Sequence, residues 1–234
     1  MIYFEDLPLD KEIVEALSEL SINYVFQSIF YPDGKTIFAR EALMRPTDMT
    51  VTELIEKYTK MEKLHILEVA TCFGAMQEYI LRGYTENLCI NSFPTEYFSK
   101  EETRVLFDYY GKQPFKVFLE ILEYPYYSES IARLKKYYCE QAKSPISIDD
   151  FGSGINDMKI VDTYSPALVK IDRSLITDID TDPLKQEKVA DLIKDFHERE
   201  ISVVAEGVET KGEFEFMRDA GADFFQGFYL HRPA

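Results

Sequence analysis

Apolar and β-branched residues along this chain gather into short runs, and between the runs lie longer stretches with an apolar residue at every third or fourth position. The runs fall at residues 24–30, 36–39, 88–90, 115–121, 146–148, 168–171, 201–205 and 224–230, which predicts eight strands. The intervening stretches open with helix caps. Thr50 with Glu53, and Thr210 with Glu213, have the spacing of a capping box, in which hydroxyl and carboxylate each satisfy a backbone N–H that the helix leaves without a partner. Asp182 followed by Pro183 is an N-cap with proline at the first helical position, where a missing N–H costs nothing. The helix that starts there puts Val189, Leu192, Ile193 and Phe196 on one face, and Gly221 closes the helix before the last run.

Strands alternating with helices predict a parallel sheet, and eight of them predict its closure into an α/β barrel. One connection breaks the alternation. Only YPDGK (31–35) separates the first two runs, and a turn so short reverses the chain. The expected fold is therefore a modified TIM-like (β/α)8 barrel with its first strand antiparallel. No repeat or linker divides the sequence, so residues 1–234 are read as one domain, with 1–22 as a lead-in and the final barrel helix missing.

In such barrels the chemistry sits at the carboxyl ends of the strands. Here the runs end on Glu41, Asn91, Glu120, Asp149 with Asp150, Lys170 with Asp172, Glu206 and Gln226. A single strand-end carboxylate is ordinarily solvated or capping, and Glu123, Glu129 and Asp178 are read that way. Seven strand ends in register are different, because converging carboxylates raise one another's pKa and cannot all ionise near neutral pH without compensation. Divalent cations supply it. An all-oxygen donor set that includes an asparagine carbonyl, with neither His nor Cys, favours Mg²⁺ or Mn²⁺ over zinc. Adjacent Asp149 and Asp150 suit a pair of ions, one carboxylate bridging both and its neighbour binding the second, and such a pair clamps the attacking and leaving oxygens of an in-line displacement at phosphorus. Asp172 is either a supporting partner of this site or a structural strand-end carboxylate.

Charge narrows the partners. With 42 acidic against 26 basic side chains the formal charge is −16, which excludes a general affinity for nucleic-acid duplexes or anionic membranes. No apolar run approaches the ~18 residues that span a bilayer, and the acidic start lacks the basic segment of a secretory signal. The expected setting is cytoplasmic. Cys72, Cys89 and Cys139 are odd in number and far apart, so they are read as free buried thiols, while His65, His197 and His231 share no metal spacing and are read as structural or solvated.

EALMR (41–45), DDFGSG (149–154), KIDRS (170–174), AEGVET (205–210) and FQGF (225–228) together resemble the motifs of the EAL-domain phosphodiesterases, which hydrolyse the bacterial second messenger cyclic di-GMP to linear 5′-pGpG. The likeness runs in order from residue 26 to 233. It implies two metal ions: Glu41, Asn91, Glu120 and Asp149 on the first, and Asp149, Asp150 and Glu206 on the second. It implies that Lys170 orients or stabilises the attacking hydroxide and that Gln226 supports the water network, so that Glu41, Lys170 and Glu206 form the catalytic set. On the substrate side it implies Arg45 at a phosphate, Leu43 beside it and Gln27 at a guanine base. Glu209 is implied to anchor the glycine loop after Asp150, and through that loop a homodimer interface.

Departures from the pattern, among them a segment from Glu41 to Asn91 that is short for the family, bear on affinity and dimer geometry more than on chemistry, since the metal set is complete. Ser28 stands where the family usually has proline, Pro46 where an aromatic is common, and INDMK (155–159) where a Tyr-Ser-Ser pattern is usual. Two other readings stand beside the enzyme. One is a silent cyclic di-GMP receptor, a class that typically lacks a metal ligand. The other is an unrelated barrel enzyme with a lysine base, which leaves Asn91, Arg45 and the DDFGSG loop without a role.

Overall fold

The reversal expected at YPDGK sets the topology. Gly34 takes φ +65°, and Asp33 Oδ1 accepts from the backbone N–H groups of Lys35 (2.9 Å) and Thr36 (2.8 Å), so β1 (Ile22–Phe30) folds straight back onto β2 (Ile37–Pro46). The computed structural model describes residues 9–154 and 156–234. After β2 come α2 (Val51–Lys60), α3 (Leu64–Leu81), β3 (Asn87–Ser92), α4 (Lys100–Tyr110), β4 (Val117–Ile121), α5 (Glu129–Ala142), β5 (Ile146–Phe151), α6 (Met158–Tyr164) and β6 (Leu168–Ile171). The chain finishes through α7 (Arg173–Ile176), α8 (Pro183–Glu198), β7 (Ser202–Ala205), α9 (Lys211–Asp219) and β8 (Phe224–Phe225). From β2 onward each strand lies parallel to the next, and β8 meets β1 through the single antiparallel pair Phe30–Phe225, closing an eight-stranded barrel.

Inward-facing positions form two layers. The lower is an apolar plug of Ile29, Ala39, Cys89, Phe118, Leu168 and Val204. The upper carries the polar residues treated below. The helices bury their apolar stripes against the outside of the barrel, as with Val189, Ile193 and Phe196 of α8, which are at most 1% exposed. Both expected capping boxes form, and Asp182 Oδ1 accepts from the Leu184 and Lys185 N–H groups at 3.1 Å. The three cysteines are free and buried.

Several boundaries differ from the sequence expectation. The proposed lead-in contains a helix, α1 (Lys11–Glu19), capped by Asp10 and packed through Ile13 and Ala16; residues 1–8 of that lead-in lie outside the described residues. Strand β2 continues seven residues beyond 39, because the antiparallel partner β1 gives its polar end a full ladder. Strand β5 runs on through Asp149 and Asp150 to Phe151. The last run, expected at 224–230, is a strand only over Phe224–Phe225; Gly227 then turns the chain back, and the backbone of Ala234 exchanges two hydrogen bonds with Phe26 on β1. Among the described residues no helix is long and apolar enough to cross a membrane.

Candidate active site

Because side chains alternate along a strand, the residues two positions above the apolar plug share its inward direction. They are Gln27, Glu41, Asn91, Glu120, Asp149, Lys170, Glu206 and Gln226, one from each strand or the residue just past it. Lys170 is fully buried at the centre. Its ammonium lies 2.8 Å from Asp149 Oδ1, 3.2 Å from Glu41 Oε2, 3.3 Å from Glu206 Oε2 and 3.7 Å from Glu120 Oε1. Gln226 Nε2 donates to Glu41 Oε2 at 2.5 Å and to Gln27 Oε1 at 3.4 Å, while Asn91 Nδ2 donates to Glu41 Oε1 at 3.3 Å. Glu41 is thereby held from three sides.

One strand carries two inward carboxylates, which a regular strand cannot do. The pairing of β5 with β6 slips between Ile148–Val169 and Phe151–Ile171, so three steps on β5 answer two on β6. Asp150 sits at that bulge with φ +49°, in the left-handed region that aspartate tolerates better than most residues. The bulge turns Asp150 back toward its neighbour. Ligand oxygens of Asp149, Asp150 and Glu206 come within 4.8 Å of one another, close enough to share one cation.

The electrostatics follow from crowding. Burial pushes the Glu120 carboxyl well above the usual range, with Glu41 and Asp149 adding to the effect and Lys170 opposing it. Glu206 is raised for the same reasons. Burial and then the charge of Asp149 push Asp150 up to about 6. Burial alone would depress Lys170, but its four carboxylates outweigh that and hold it protonated. Four carboxylates thus surround one ammonium, with Asp150 a fifth beside Asp149. Asn91 Oδ1 and both Glu120 oxygens are buried and accept no hydrogen bond. Orphaned oxygens in an anionic, all-oxygen pocket fit divalent cations of the Mg²⁺ and Mn²⁺ class.

A cleft of about 300 Å³ opens beside this ring, lined by Gln27, Arg173, Glu206, Gln226 and Phe228 among others. On the β1–β2 wall Leu43 and Arg45 continue the face of Glu41, opposite Val25 and Asn23. Leu43 is half-buried; Arg45 is exposed and its guanidinium rests on the Met44 carbonyl at 2.9 Å. Asp172 caps α7 through the Ser174 N–H at 2.9 Å, a structural role.

Glu209 lies on the segment that follows Glu206. Its carboxylate pairs with Arg173 at 2.8 Å, and Arg173 also donates to the Gly207 carbonyl in a short bond, so this pair braces the segment after Glu206. The glycine loop after Asp150 is held by Glu123, which accepts from Ser153 Oγ at 2.8 Å, although its position past a strand end reads as solvated. Asn156 was also missed: 3% exposed, it donates to the Asp149 carbonyl at 2.6 Å. For Glu123 a signal was present, since it stands three residues past Glu120 on the neighbouring strand's loop. For Asn156 nothing in the residue pattern marks it.

Comparison with known proteins bears on the family and the fold. The EAL domain family model matches residues 10–233. A curated relative, the cyclic di-GMP phosphodiesterase TpdA of Vibrio parahaemolyticus, is 33% identical over 101 residues, which is 43% of this chain and 17% of TpdA. The chain thus spans far less than two thirds of that relative's length. Among solved structures, a standalone EAL protein of Vibrio cholerae O395 bound to cyclic di-GMP superimposes with a TM-score of 0.79 at 24% identity over 92% of this chain and 93% of that one. A manganese and cyclic di-GMP complex of Klebsiella pneumoniae BlrP1 gives 0.77 at 25% identity, covering 92% of this chain and 56% of the other.

Proposed function

Since this chain belongs to the EAL domain family, we propose that it hydrolyses cyclic di-GMP to linear 5′-pGpG with the help of two divalent cations, Mg²⁺ or Mn²⁺. The observation that carries the reading is the imbalance of four carboxylates about Lys170 and a fifth, Asp150, beside them, with three buried oxygens that accept no hydrogen bond. The substrate named for TpdA and present in the BlrP1 complex supports the choice of phosphodiester.

In this reading Glu41, Asn91, Glu120 and Asp149 hold one cation, and Asp149, Asp150 and Glu206 the other. Bound there, the ions lower the pKa of water and neutralise charge at phosphorus. Hydrolysis adds water across one P–O3′ bond and leaves a 5′-phosphate and a free 3′-hydroxyl. Lys170 keeps its proton among the carboxylates, so it presents fixed positive charge as negative charge grows on the phosphoryl oxygens. Gln226 and Asn91 fix the Glu41 carboxylate. Arg45 reaches a phosphate, Leu43 gives the ribose an apolar wall, and Gln27 meets a base edge. The reading carries with it a cytoplasmic homodimer built from one such domain per chain.

The test is incubation of the protein with cyclic di-GMP and Mn²⁺, followed by chromatography for pGpG. Turnover is expected, is abolished by a chelator, and falls by about 100-fold or more in Glu41→Ala. Binding of cyclic di-GMP without turnover would instead identify a silent receptor. Turnover unchanged in Glu41→Ala would remove the ligand assignment.

A further inference from the structure

Outside the barrel wall two helices bury a charge pair that the proposed chemistry does not use. Glu68 of α3 is 2% exposed and Lys135 of α5 is 1% exposed, and carboxylate and ammonium meet at 3.2 Å. Burial of this depth gives little net stability, because desolvation offsets the attraction and well-packed apolar residues of similar volume often do as well or better. The location of the pair supplies another reason to keep it. Its further bonds fall on the two residues that follow Asn91. Phe93 N–H donates to Glu68 Oε2 at 3.0 Å, the Phe93 carbonyl accepts from Lys135 Nζ at 2.6 Å, and Ser92 Oγ donates to Glu68 Oε1 in a short bond. The Ser92 carbonyl in turn accepts from Leu122 N–H at 3.1 Å, two residues past Glu120. The chain leaving β3 is therefore gripped by its N–H, its carbonyl and a hydroxyl, and is tied to the strand that carries Glu120. Apolar side chains could fill that volume, but they could not make directional bonds to the backbone.

We propose that the Glu68–Lys135 pair is a positioning device that fixes where Asn91 presents its side-chain oxygen to a divalent cation. The inference rests on the metal site of the preceding section. Groups that orient a ligand from behind typically contribute 10–100-fold to metal affinity or activity.

The decisive variant is the double substitution Glu68→Leu with Lys135→Met, which removes both charges and keeps the volume apolar. Its Tm is expected to fall, because the buried Phe93 N–H and carbonyl lose their partners, while at a temperature well below that Tm the Mn²⁺ Kd read by calorimetry rises about 10-fold and kcat falls with KM little changed. A double variant with wild-type Mn²⁺ affinity and kcat overturns the proposal, since stability would then be the pair's whole contribution. Should the double variant fail to fold, Ser92→Ala keeps the ion pair and both helices intact. It must still weaken Mn²⁺ binding, and unchanged binding overturns the proposal. A wild-type protein that takes up no Mn²⁺ overturns the proposed function instead. The clamp is then read from amide hydrogen exchange over residues 91–93, which the double variant must accelerate more than it does in the other strands of the barrel, and equal exchange overturns it.

Discussion

Neighbouring residues in a strand face opposite ways, so two adjacent aspartates can serve one site only if the backbone between them is irregular. The doublet at 149–150 therefore contained a hidden structural demand, met by the bulge and by the left-handed turn at Asp150. The ring of strand-end oxygens was legible because inward direction follows from a period of two. The bulge was not, because it depends on how β5 registers against β6, a strand still to come in the sequence. The same limit hid Asn156, since a side chain that grips a backbone carbonyl leaves no periodic trace. Asp150→Asn tests the division of labour between the aspartates. Calorimetry with Mn²⁺ is expected to show one ion bound in place of two and kcat to fall about 100-fold. The metal-free Tm is not expected to fall, because burial already disfavours the charge at Asp150. Two ions bound by the variant would contradict the assignment.

Helices announce their starts through side chains that bond within four residues, which is why Thr50, Asp182 and Thr210 could be placed from the pattern alone. Strand ends are set by partners far away, and β2, β5 and β8 were accordingly misjudged in length. Contacts between helices are less legible still. His65 on α3 reads as structural or solvated, and the pattern does not name its partners: Glu102 of α4 lies 2.9 Å from Nε2 and Glu96, just before α4, lies 3.5 Å from Nδ1. The bonds to these two carboxylates raise its pKa from 6.5 to about 10. A base whose folded pKa is raised stabilises the fold fully below pH ~6.5, and that contribution is lost as pH rises toward about 10. Urea unfolding of the wild type and His65→Asn at several pH values checks this. The wild type is expected to lead by on the order of 1 kcal/mol at pH 6, a modest figure because the ring is over a third exposed, and the gap should close by pH 10. A gap that widens with pH would show the sign to be wrong.

At the scale of the whole molecule, the barrel could be read because eight apolar runs alternate with helical stretches, and its one antiparallel strand because a five-residue turn allows no crossover. Two joins of β1 differ sharply in reach. Toward β2 it pairs along its full length with residues close in sequence; toward β8 its strand ladder among the described residues is the one pair with Phe225, across almost the entire chain, with Ala234 adding a backbone pair at Phe26. That contrast has a kinetic consequence. A hairpin closes within microseconds, whereas a contact across the whole chain carries the largest loop-closure entropy and forms late. The seam should still be open at the rate-limiting step of folding, so a substitution there acts on how fast the native state comes apart and not on how fast it assembles. In a chevron plot, Phe225→Leu is expected to raise the unfolding limb and leave the refolding limb in place. Movement of the refolding limb would mean that the circle closes first.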